Sequence, residues 1–134
     1  MKSPLLTHSS SAVLLAMTVF CAGCSESPED AKVSGQVTLD GNPLSSAVIL
    51  LEDRASGAGG TAVIENGSFS FPTSLPTGKY AVALQPPPPP APHESSPTPI
   101  RTKLPRHLTR PETSGLEAEL TPGENALDFK VDSK

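Results

Sequence analysis

From Lys32 onward, apolar and polar residues alternate with a period of two. Val33, Gly35, Val37 and Leu39 fall on one face, and Ser34, Gln36 and Thr38 on the other. That is the pattern of a half-buried antiparallel strand. Asp40-Gly41-Asn42-Pro43 follows as a turn, because Gly and Asn accept positive φ and Pro fixes it. Ala47-Val-Ile-Leu-Leu51 is a continuous apolar run between turns, which predicts a strand covered on both faces. Thr61–Glu65 and Ser68–Phe71 flank Asn66-Gly67. A type I′ turn needs positive φ at both central positions, so Asn-Gly is the strongest hairpin signal in the chain. Phe69 and Phe71 share a face. Lys79–Leu84 alternates again, with Tyr80, Val82 and Leu84 inward. Leu116, Ala118 and Leu120 line one closing strand, and Leu127, Phe129 and Val131 another. Thr121-Pro-Gly-Glu-Asn125 reads as the hairpin that joins them. Seven strands with regularly spaced turns predict an all-β fold, a seven-stranded antiparallel β-sandwich over residues 32–132.

Two stretches break the alternation. Pro86 to Pro90 are consecutive prolines, followed by Pro92, Pro97, Pro99, Pro105 and Pro111. Proline lacks an N–H and cannot sit in a central strand. The run predicts a polyproline II rod roughly 15 Å long at about 3.1 Å per residue, within a long proline-rich loop over 85–114. The other break is at the N-terminus. A weakly basic start containing Lys2 precedes the apolar segment Ala12–Phe20, far short of the ~20 residues that cross a bilayer core. A charged start, a short apolar centre and a small-residue exit predict a secretory signal peptide over 1–23.

Cys21-Ala22-Gly23-Cys24 resembles the lipobox of bacterial lipoproteins, with Cys21 where Leu is usual. The resemblance implies lipidation of Cys24 and cleavage before it. Acyl chains contribute about 0.8 kcal/mol per buried CH₂, and two chains hold a protein at a membrane without spanning it. Ser25-Glu-Ser-Pro-Glu-Asp30 is polar and without periodicity, so 24–31 reads as a flexible tether. Loss of the signal removes Lys2 and no acid, leaving nine basic against fourteen acidic residues, a net charge of −5. An acidic surface of this kind argues against nucleic acid as a partner. Cys21 would leave with the signal, so the exported domain would fold without a disulfide.

With that pattern assembled, the chain resembles a group of small planctomycete lipoproteins with a carboxypeptidase regulatory-like domain. The residues that carry the likeness are Val33-Ser-Gly-Gln-Val-Thr-Leu-Asp-Gly-Asn-Pro-Leu44, Asn66-Gly-Ser-Phe69 and Pro76-Thr-Gly-Lys-Tyr80. Pro111-Glu-Thr-Ser-Gly-Leu116 and Pro122-Gly-Glu-Asn125 match as well. The resemblance implies a transthyretin-like, prealbumin-type sandwich. In Leu104-Pro-Arg-His-Leu108, Leu108 stands where that group usually has Tyr.

Candidate chemistry is sparse. His8 falls within the signal, and His93 and His107 lie in the proline-rich stretch without a second histidine at ligand spacing; a zinc site needs three or four convergent ligands. No nucleophile elbow and no Ser/His/Asp order stands out. The chain has no Trp and one Tyr, which leaves little for an aromatic sugar-binding platform. The sequence therefore predicts no catalytic, cofactor or metal residue, and Cys24 as the one modified position. The expected protein is an exported, membrane-anchored and non-catalytic lipoprotein of the cell envelope, facing periplasm or cell exterior. Its expected partners are the membrane, through Cys24, and another envelope protein, with no nucleic acid and no small-molecule substrate. The alternative is an accessory module that binds carbohydrate or peptide for an extracellular system. The five-proline run could dock in an aromatic groove or act as a stiff spacer.

Overall fold

The computed structural model describes residues 29–89 and 102–134. The stretch 1–23 read as a signal peptide, Cys24, His93 and most of the proline run's continuation lie outside the described residues. The described chain is all-β, with one single-turn 3-10 helix at Arg106–Thr109. Nine strands form one curled, mainly antiparallel sheet. In chain order they are β1 (Asp30–Leu39), β2 (Asn42–Pro43), β3 (Ser46–Glu52), β4 (Gly59–Glu65) and β5 (Ser68–Ser70). β6 (Leu75–Pro76), β7 (Gly78–Gln85), β8 (Leu116–Leu120) and β9 (Gly123–Val131) complete the set. The seven strands read from the alternation are all present. β2 and β6 are two-residue additions that each pair with β1.

β1 organises the sheet. Along one side it pairs antiparallel with β6, β5 and β2 in turn. Along the other it pairs with β9 over nine residue pairs, from Ala31↔Gly123 to Leu39↔Val131, and this ladder is parallel. β5 continues through β4, β3 and β7 to β8. The turns follow the residue chemistry. Asn66 and Gly67 have φ of 51° and 82°, with Ile64↔Phe69 and Glu65↔Ser68 paired across them, as a type I′ turn requires. Asp40 and Gly41, at 50° and 81°, make the same turn between β1 and β2.

The alternation places the core. Val33, Val37, Ile49, Leu51, Ile64, Tyr80, Val82 and Leu84 are buried, and Phe69 and Phe129 close the cluster. The Phe69 ring packs edge-on to Phe71 at 6.1 Å and stacks with Phe129 at 6.4 Å. Gly35 makes room for this packing. A Cβ there would lie 2.0 Å from the Leu127 carbonyl oxygen and 2.9 Å from the end of the Phe69 ring.

Five expectations are corrected. Residues 121–125 do not form a hairpin: β8 pairs with β7 and β9 with β1, so Thr121-Pro122 links strands of two different ladders. Asn125 holds that corner. Its Nδ2 donates to the carbonyls of Thr121 at 2.7 Å and Gly123 at 3.1 Å, and its Oδ1 accepts the Thr121 N–H at 2.9 Å. Second, the parallel β1–β9 ladder means that the sheet is not purely antiparallel. Third, β3 is not covered on both faces: Ala47, Ile49 and Leu51 are buried while Val48 and Leu50 are only half-buried. Fourth, the folded body starts inside the stretch read as a tether. β1 begins at Asp30, Ala31 is fully buried, and Glu29 accepts the Thr77 N–H at 3.0 Å. The proline-rich stretch is also shorter as a loop than 85–114. Gln85 belongs to β7, and Leu108 from the short helix enters the core at 2% exposure.

Two substitutions test this packing. Gly35→Ala should cost about 1–3 kcal/mol, the range for overpacking, because the oxygen in its way is backbone; chemical denaturation measures it. Asn125→Asp replaces the amide donor with an acceptor that faces the carbonyls of Thr121 and Gly123. It should destabilise by about 1–3 kcal/mol at neutral pH. The loss should shrink as acid protonates the new carboxylate, which then donates again.

Candidate functional site

Two of the concavities on the described surface differ in their chemistry. The first is an acidic depression of about 640 Å³ over β3, β7 and β8. The ladders set its layout: Glu52 of β3 and Glu117 of β8 flank Ala81 of β7, and Lys79 faces Glu119 in the next row. Asp53 and Glu112 extend its rim. Arg54 reaches Glu112 at 3.8 Å, with both side chains more than half exposed, so the pair contributes little.

Asp53 is built into the β3–β4 loop. Its Oδ1 accepts the Ala55 N–H at 2.8 Å and its Oδ2 accepts the Ser56 hydroxyl. The hydroxyl of Ser56, then the amide of Ala55, hold the Asp53 carboxyl below the usual carboxylate range. Tyr80 lies beneath the depression. Its hydroxyl donates to the Pro76 carbonyl at 2.8 Å. Desolvation, then the neighbouring Asp53 charge, push the phenol up from its ordinary value. Its one observed bond is to backbone, which gives Tyr80 a structural task. The depression can draw cations toward it electrostatically.

The second concavity is a mainly apolar groove across the outer face of β3 and β4, with Glu65 as its one charged lining residue. Val63, Val48 and Gln85 lie in one row across β4, β3 and β7, and Pro86 and Pro88 continue the lining. Val63 is 56% exposed, the one large apolar side chain so placed among the described residues.

Cys24 and His93 lie outside the described residues. His107 is exposed on the 3-10 helix. Among the described residues, no group of three or more His, Cys, Asp or Glu side chains could hold a metal ion. Two polar side chains that the sequence reading did not single out are buried, and both hold strand ends. Ser114 donates to the Val82 carbonyl and accepts the Leu116 N–H at 3.2 Å, where the β7–β8 ladder stops. Asn125 holds the β8–β9 corner as described. Parity gave a signal for it: residue 125 shares the inward face with 127, 129 and 131, and an inward amide must find partners. No family model, curated protein or solved structure matches the chain.

The Asp53 loop generates a titration test. The depressed folded value contributes stability above the ordinary carboxylate value of 3.8, which is lost as pH falls through the lower folded value. Carboxyl-carbon NMR should find the Asp53 midpoint below 3.8. Ser56→Ala should raise that midpoint, because it removes the leading cause. A midpoint unmoved by the substitution would contradict this loop geometry.

Proposed function

We propose that the chain is a membrane-anchored, non-catalytic lipoprotein of a bacterial cell envelope, whose β-sandwich of transthyretin-like type serves as a binding or structural module. The observation that carries this reading is the apolar segment Ala12–Phe20 ending in Cys21-Ala-Gly-Cys24, immediately ahead of a folded body that starts at Asp30. At most about 18 Å of extended chain separates the Cα of Cys24 from that of Glu29, at ~3.6 Å per residue. Such an anchor would hold the sheet close to the membrane surface. The sandwich reading is supported by the Thr121-Pro122 link. β8 and β9 end the two arms of the sheet, yet two residues join them, so the sheet must curl until those arms approach.

A second reading, an accessory module that recognises carbohydrate or peptide, is favoured by the mainly apolar groove at Val63. Binding of an extended apolar peptide there, and its loss in Val63→Asp, would support that alternative over a purely structural role.

The anchor is tested by expressing the full chain in a bacterial host. The expected product begins at Cys24 and carries the mass of the added lipid, and it partitions with membranes. Cys24→Ser should remain an uncut, unlipidated precursor. Cleavage at another position without added lipid mass would contradict the proposal.

A further inference from the structure

Among the described residues, β9 is paired on one side only. Its sole ladder partner among the described residues is β1. Val131 O accepts the Asp40 N–H at 2.9 Å, so Val131 turns its backbone groups toward β1. Alternation gives Asn125, Leu127 and Phe129 the same direction. The N–H and C=O groups of Glu124, Ala126, Asp128 and Lys130 therefore point away from β1, along an open edge. All four side chains are exposed on the outer face. A nine-residue open edge is a template for another strand.

We propose that this edge pairs antiparallel with β9 of a second copy of the chain, about a two-fold axis at Leu127. The charge pattern selects the partner and the register. Centred on Leu127, Glu124 lies opposite Lys130 of the second copy, Lys130 opposite its Glu124, and Ala126 opposite its Asp128. The outward-pointing residues then face one another as hydrogen-bonded pairs, giving about eight interchain bonds at two per pair. Neighbouring registers are worse. Centred on Ala126, Glu124 meets Asp128; centred on Asp128, that residue meets its own symmetry mate and Glu124 meets Asp132. Like charges directly opposite one another oppose pairing, and opposite charges support it. At the axis the two Leu127 side chains, each half-buried against its own core, meet and extend the inner apolar face across the join. The axis is perpendicular to the sheet, so both copies present their β1 starts at equal height above a surface lying along the sheet. The proposal stands independently of lipidation at Cys24.

Sedimentation equilibrium of the full chain in detergent micelles tests it, with charge variants separating this contact from association through the N-terminus. The unsubstituted chain should dimerise at micromolar concentration. Lys130→Glu turns both ion pairs into repulsions and should weaken the dimer roughly tenfold or more. Glu124→Lys combined with Lys130→Glu restores opposite charges and should recover the original constant. A monomeric unsubstituted chain, a Lys130→Glu dimer of undiminished strength, or a double variant no tighter than the single one would each overturn the proposal.

Discussion

The rest of the structure depends on β1 being paired on both sides. On one side it gathers β6, β5 and β2, and through β5 the whole run to β8; on the other it carries β9 alone. The ladder to β9 joins residues about ninety positions apart, as in Val33↔Asn125. Closing so long a loop costs entropy before any contact repays it. What offsets that cost is what sits on β1's inner face. Val33 and Val37 are buried, and Phe69 reaches over the gap that Gly35 leaves and stacks with Phe129 of the other flanking strand. Glycine weakens a strand by itself, so its presence at the centre of the longest strand is explained by the close backbone and ring approach that a Cβ would block.

Much of this was legible as local pattern. The alternation in residues 33–39, 79–84 and 116–120 gave strand positions and inward faces, and Asn66-Gly67 gave its turn type, because each depends only on near neighbours. Pairing partners are a different matter. Thr121-Pro-Gly-Glu-Asn125 has hairpin composition, yet β8 finds β7 and β9 finds β1. The hairpin expected there does not form, because composition marks a turn without showing that the chain changes ladders. The apolar run 47–51 misled in a similar way. Five consecutive apolar residues look doubly covered, but little covers the outer side of Val48 beyond the prolines that begin at Pro86. In the proline-rich stretch, Leu108 has no alternation around it to mark it as inward, and the core accepts it as an aliphatic plug.

The same geometry frames the functional reading. The polar side chains that are buried, Ser114 and Asn125, complete strand ends, and the Tyr80 hydroxyl is bonded to backbone. Among the described residues, the features open to interaction include an acidic depression, a mainly apolar groove beside the prolines, and an open strand edge. All three belong to a body whose first strand starts at Asp30, six residues after Cys24.

Native-state hydrogen exchange tests the central claim most directly, since it reports which strands open together. If β1 joins the two arms of the sheet, the amides of Leu127, Phe129 and Val131 should exchange only with the slowest amides of β1, in one cooperative unfolding event. Exchange of those β9 amides at a much lower opening free energy, with β1 still protected, would show that the sheet stands without β9 and would contradict the account.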